Sequence, residues 1–310
     1  MTRFVARRLT QAAAVVLAAY TLTFAAFNVL PADPVRIMMG PENGVDEARV
    51  AALRAEYGLD RPAVERYLDG LLDTLRGDLG TSFQTGRDVG ATIAEAAPRT
   101  LALAGGALLV ALPLGFLIAW SAAHTRHMWL RRLLGALPSL SLSVPTFWLG
   151  LVLLQAFSFG LPLFPARAED GLAGLVLPTV TLAVPSSAFV AQVLLERLTV
   201  EMRQPYVDTA RAKGASRARA VTAHALRNAA MPALTMIALL AGWLVSGSVV
   251  VETVFARNGL GRLIESAVTT RDLPMLQGLV VVATAVVTLL TLAVDMAHPL
   301  VDPRLRERAA

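Results

Sequence analysis

Six stretches of about 20 predominantly apolar residues govern what this chain can fold into. They lie at roughly Leu9–Leu30, Thr100–Ser121, Leu133–Phe157, Leu172–Leu195, Ala229–Val251 and Leu276–His298. Each is long enough to cross the hydrocarbon layer of a bilayer as a helix. Lipid offers no partner to a bare backbone N–H or C=O, and alternating barrel-strand patterns are absent, so each run is expected to be helical. Composition agrees: 55% of the 310 residues are hydrophobic and only 16% are charged. The mean hydropathy is +0.57. A soluble core of this size cannot hide that much apolar surface. The expected fold class is therefore all-α and integral to the membrane, with six transmembrane helices. The first run follows Arg3, Arg7 and Arg8, as in a signal peptide, but it is too long and lacks a small-residue cleavage site, so it reads as a retained helix.

Orientation follows from the cationic residues between spans. Sixteen Lys and Arg fall at the two termini and in the segments after spans 2 and 4, against four in the short loops on the other side. The bias predicts cytoplasmic N- and C-termini. It also accounts for the net charge of +5 without a nucleic-acid partner, since no basic face or stripe is present. The expected organisation is a first span over 1–30, an extracytoplasmic segment over 31–99, a five-helix core over 100–298 and a cytoplasmic tail over 299–310. The core holds a polar loop at 204–228. The external segment carries eight Arg against twelve Asp and Glu. Helices are expected at Asp46–Tyr57, closed by Gly58, and at Pro62–Arg76. The segment reads either as a spacer or as a docking surface.

Little in the chain suggests catalysis. Cys is absent, and so are the HExxH, GxSxG and GxxxxGK[ST] patterns, so no catalytic or metal-binding residue is assigned. His124, His127, His224 and His298 all fall at or beyond span ends, and the first two fit solvated loop histidines better than ligands. No Asp, Glu, Lys, Arg or His sits in the middle of a span; Glu252, Asp295 and His298 come nearest, at span ends, and Gln155 is the clearest polar mid-span residue. A secondary transporter coupled to protons or ions would need such groups, so energy must enter elsewhere. Gly242, Ser246, Gly247 and Ser248 give span 5 a small-residue face, suited to close helix packing or to a wall of a solute path. Pro113, Pro145 and Pro185 predict kinks in spans 2, 3 and 4.

The informative stretch is the loop after span 4. Pro205 suits the first turn of a short helix and Gly214 its end, with a second, basic helix leading into span 5. On these grounds alone the loop reads as a basic element on anionic headgroups.

Asp208-Thr-Ala-Arg-Ala-Lys-Gly214 resembles the "EAA" loop of ABC importer permeases. His224-Ala-Leu-Arg-Asn-Ala-Ala-Met-Pro232 is similar to a stretch that dipeptide and oligopeptide permeases carry at this spacing. Tyr57–Pro62 and Gly77–Ser82 resemble the external segment of the first of two paired peptide permeases. Glu252–Phe255, Gly259–Gly261 and Arg271–Pro274 resemble its last external loop, and Asp302-Pro-Arg304 its tail. The likeness runs in order along nearly the whole chain. Asp208 departs from the usual Glu, Asn258 from a common Pro, and Ala32 from a common Gly.

The resemblance is to the dipeptide, oligopeptide and nickel importers and implies a type I importer permease. This chain would pair with a second permease subunit as a heterodimer above two cytoplasmic ATPase subunits or domains. An extracytoplasmic solute-binding protein would deliver solute. ATP and Mg would bind on the ATPases, with no cofactor on this chain. Tyr206, Asp208, Thr209, Ala210, Arg211, Lys213 and Gly214 would couple to the ATPase, and spans 2 to 5 would line the path. Peptides are the expected cargo; nickel or other metal chelates, glutathione and glycans are moved by related systems. The expected location is the prokaryotic inner or plasma membrane.

Overall fold

All six apolar runs are helical. In the computed structural model residues 2–29, 35–36, 47–167 and 171–301 are described. The elements are α1 Thr2–Val29, α2 Glu47–Glu56, α3 Ala63–Arg76, α4 Val89–His124, α5 Met128–Ser143, α6 Thr146–Leu154, α7 Leu172–Glu201, α8 Pro205–Ala212, α9 Leu226–Val254, α10 Leu260–Thr269 and α11 Leu273–Val301. Among the described residues four helices are long and apolar enough to span a membrane by themselves, over Ala6–Asn28, Val89–His124, Leu172–Glu201 and Leu273–Leu292. α5 and the helical stretch Thr146–Gly160 reach that length only as a bent pair, and α9 carries the remaining run, Ala229–Val251. The tail motif Asp302-Pro-Arg304 and position Ala32 lie outside the described residues.

One run departs from expectation. Leu133–Phe157 is not a single helix: α5 and α6 meet at a bend of 95°. Pro145 is the cause. It brings no N–H to the helix, and it forces Val144 into an extended conformation at φ −89°, ψ 122°. Gln155 then opens a π-helical turn, Gln155–Gly160. Pro113 and Pro185 sit within α4 and α7, and both remain helical through them.

The chain packs as two units. The first comprises residues 1–99 and 258–289. Its core is Val89, Ile93, Ala267, Met275 and Leu279, from the start of α4, from α10 and from α11. Gly278 lets two of these elements close up, since a Cβ there would sit 2.6 Å from a methyl of Val89. Asp272 holds the unit's irregular backbone. Its buried carboxylate accepts from Ser82 Oγ at 2.5 Å, from the Phe83 N–H at 3.1 Å and from the Met275 N–H at 3.4 Å. It thereby caps α11 and ties the Gly77–Ser82 stretch to the Arg271–Pro274 stretch. Two helices close the segment as expected: α2 stops before Gly58, and α3 ends on Gly77 at φ +89°.

The second unit comprises 100–257 and 290–310. α7 is its axis, burying Leu177, Leu182, Ala188, Ala191, Leu194 and Leu198. One core gathers Leu103, Ala107 and Ala111 of α4 with Leu182 of α7, Leu244 and Val251 of α9, and Phe255. A second gathers Ala119 and Ala123 with Leu194, Leu198, Val221 and Ala225. Small residues set the spacing. A Cβ on Gly115 would fall 2.6 Å from the Ser187 carbonyl oxygen, and one on Gly150 would meet Phe255, Thr181 and Val254 at 3.3 Å. Glu252 is fully buried here and accepts from Thr100 Oγ1 at 2.6 Å.

Gly115→Val is therefore expected to cost about 1–3 kcal/mol by overpacking, because the obstacle is backbone that cannot rotate away. Gly105→Ala, whose Cβ meets nothing within 4 Å, should be neutral or slightly stabilising, since Ala is the better helix former. Thermal unfolding in detergent distinguishes the two; equal melting would refute a backbone-limited contact between α4 and α7.

Candidate functional site: a short exposed helix between two long ones

The segment from Glu201 to Asn228 interrupts two long apolar helices with a compact polar device. α7 ends at Glu201, and Pro205 opens α8 at its first position, where a missing N–H costs nothing. Thr209 Oγ1 donates to the Pro205 carbonyl at 3.0 Å. The helix closes on two bonds, Gly214 N–H to Arg211 C=O at 2.9 Å and Ala215 N–H to Ala210 C=O at 3.1 Å. That pairing requires a left-handed residue, and Gly214 takes it at φ +91°. Nothing lies within 4 Å of where its Cβ would be, so only the backbone conformation demands glycine. Ser216 caps the next turn, accepting from the Arg219 N–H at 3.3 Å, and a π-helical turn over Ala220–Ala225 leads into α9.

Three attachments hold α8 in place. Val207 is its one buried side chain. Tyr206 donates its hydroxyl to Glu201 Oε2 at 2.5 Å and accepts from Asn228 Nδ2 at 3.1 Å, so it straps the end of α7 to the start of α9. Burial, and then the Glu201 carboxylate, push the Tyr206 phenol above its usual pKa. The shift is upward, so the hydroxyl stays protonated and the strap persists through the neutral range. Arg217 donates from Nε and Nη2 to the Ala123 carbonyl at 3.1 and 3.0 Å, satisfying an orphan acceptor at the end of α4. Burial draws the Arg217 guanidinium below its usual value, with Arg131, Arg211 and Arg126 adding repulsion. α8 thus rests on a basic neighbourhood.

Of the residues singled out from sequence, Asp208, Thr209, Arg211, Lys213 and Gly214 are exposed, Tyr206 is 38% exposed and Ala210 is half-buried. The device thus turns one side toward solvent and is anchored by the other. Val207, Glu201 and Arg217 were not singled out as its anchors. Asn228 stands inside the His224–Pro232 stretch, so its sequence context did mark it. The span 5 set divides. Ser248 is buried and bonds the Val245 carbonyl of its own helix at 2.7 Å, and a Cβ on Gly247 would meet Leu182 at 3.1 Å. Gly242 is half-buried and Ser246 exposed, on the side that also shows Trp243 and Val250. Leu142, Pro185, Phe189, Leu240 and Trp243 line an apolar hollow of about 250 Å³. Among the described residues no group of three His, Cys, Asp or Glu converges.

Comparison with known proteins bears on family and fold. Residues 111–307 match the family described as the binding-protein-dependent transport system inner membrane component. Residues 1–104 match the N-terminal region of the corresponding membrane component. A protein of Brucella abortus named as a peptide transport system permease is 34% identical, covering 99% of both chains. A glutathione transport system permease protein of Salmonella typhimurium is 35% identical, again over 99% of both. Among solved structures, the methionine ABC transporter MetNI in an inward-facing conformation superposes with a TM-score of 0.55 at 19% identity, over 68% of this chain and 96% of that one. An amino acid ABC transporter gives 0.52 at 20% identity, over 69% and 94%. At these identities the structural matches speak for fold.

Proposed function

The chain belongs to the binding-protein-dependent transport family as the membrane permease component of an ABC importer, and on that premise we propose that α8 with its Gly214 turn is the element through which ATPase partners move it. One observation carries the assignment: an exposed eight-residue helix, anchored through Val207, Tyr206 and Arg217, sits where two long helices and the end of α4 converge. A rigid helix attached in this way converts a push at its exposed face into displacement of α7 and α9 together. Alternating access then needs only that two arrangements of the spans differ by a few kcal/mol. The imbalance of Lys and Arg between loops supports placing α8 and both termini in the cytoplasm. ATP and Mg would bind on two ATPase subunits or domains, with hydrolysis there and none on this chain. A second permease would complete the membrane pair, and the solute-binding protein would dock on the opposite face.

Peptides are the proposed cargo, on the strength of the relatives' names and near-complete coverage. Glutathione, a tripeptide, falls in the same class of small zwitterionic amides. The solute would pass the exposed side of α9, with Gly242 and Ser246 in the wall beside Trp243, while Gly247 and Ser248 serve packing against α7 and within α9.

Gly214→Val places a β-branched residue at φ +91°, at a cost of order 1–3 kcal/mol. Uptake by the reconstituted complex is expected to fall about tenfold or more on that estimate, with membrane insertion intact. Normal uptake would sink the coupling assignment. Ser246→Trp is expected to block peptide uptake while leaving ATP hydrolysis by the assembled complex measurable; unimpaired uptake would remove α9's exposed side from the path.

A further inference from the structure

α3 is an element that the transport assignment leaves unused, and its 14 residues divide into three faces. Tyr67 and Gly70 sit on α1. The Tyr67 hydroxyl is 2.8 Å from Thr21 Oγ1, its ring stacks edge-on against Tyr20 at 5.5 Å, and a Cβ on Gly70 would strike the Tyr20 hydroxyl at 2.6 Å. A second face is charged and pairs locally: Arg61, just before the helix, reaches Asp69 at 2.7 Å and Glu65 at 3.4 Å, and Arg76 reaches Asp73 at 3.3 Å. The third is a stripe of Val64, Leu68, Leu72 and Leu75, 70, 51, 50 and 76% exposed. Their spacing of four, four and three residues puts them on one side. Each Å² of such surface left in water costs about 25 cal/mol, so a continuous stripe marks a contact.

The level of α3 in its unit says what that contact is. α3 and Tyr20–Asn28 of α1 enclose a cavity of about 570 Å³ together with Leu273, Pro274, Gln277 and Gly278. Those last residues open the α11 span, which begins at Leu273. The helix is therefore level with the start of the apolar stretch of α11. Tyr20, Phe24 and Tyr67 cluster at the same level, with Phe24 and Tyr67 ring centroids 5.4 Å apart, as aromatic rings do at headgroup depth. α1 itself exposes Leu9, Val15, Leu17 and Leu22, a surface suited to lipid. From Arg61 to Arg76 three Arg balance three Asp and Glu, so no net charge draws a charged protein partner or anionic headgroups.

We propose that α3 is an interfacial helix, lying in the membrane surface with Val64, Leu68, Leu72 and Leu75 in the acyl boundary of the adjoining leaflet. The charged face snorkels toward water and the Tyr67–Gly70 face locks the helix to α1. In this arrangement the segment between the first two spans is anchored in lipid along one side, which fixes its height above the membrane.

The chain has no Cys, so single cysteines report without background. A fluorophore is attached at Leu68→Cys, Leu72→Cys and Leu75→Cys, and for comparison at Glu65→Cys and Asp69→Cys, all exposed positions. The assembled transporter is placed in nanodiscs of zwitterionic phospholipid, with and without bromine on the upper acyl chain. Brominated lipid is expected to quench the three stripe sites several-fold more than the two charged-face sites, and aqueous iodide to do the reverse. Equal quenching at all five would overturn the proposal. Shielding of the stripe from both quenchers would also overturn it, by placing a protein there. The readout is independent of uptake, so its failure leaves the permease assignment standing.

Discussion

A backbone amide inside a bilayer has no water to turn to, and the rest of this structure follows from that. Every segment at membrane depth has to satisfy its own N–H and C=O groups, so the six apolar runs become helices. Polar work is thereby driven to the places where helices stop. The features with chemical character sit there: the Asp272 cap that accepts from Ser82 and Phe83, and the Arg217 guanidinium that takes up the Ala123 carbonyl at the end of α4. α8 is the fullest case, a helix end elaborated into a separate exposed element.

Lipid gives apolar helices little reason to prefer one another over acyl chains, so their association rests on shape. Gly115 against the Ser187 carbonyl and Gly150 beneath Phe255 are the points of closest approach. Around them α4, α6, α7 and α9 meet with small side chains. Such contacts hold the bundle together yet involve few directional bonds, and that is what a permease needs if its helices are to rock between two packings. Tyr206 and Arg217 supply the directional bonds instead, at the rim of the bundle.

Much of this was legible in the residues. Runs of apolar side chains marked the spans, and Pro205 and Gly214 marked the bounds of α8 because each has a backbone constraint that shows wherever it occurs. How far a proline disrupts its helix depends on its surroundings. Pro145 breaks its helix while Pro185, enclosed at the packed centre of α7, does not, and that enclosure is a tertiary fact. Contacts between distant positions were hidden for the same reason. Asp272 meets Ser82 across 190 residues, and Arg217 meets Ala123 across 94. Glu252 read as a charge at a span end, yet it is fully buried beside Thr100. Gly242, Ser246, Gly247 and Ser248 looked alike in sequence; only the position of α7 separates the packed pair from the others.

The most direct test of the account is cross-linking from single cysteines in the assembled complex. Thr209→Cys, on the exposed side of α8, should cross-link to the ATPase subunits, with a yield that changes between nucleotide-free and ATP-bound states. Glu265→Cys, on α10, should not cross-link to them. Cross-linking from α10 and none from α8 in an intact complex would contradict both the coupling role of α8 and the placement of that helix in the cytoplasm.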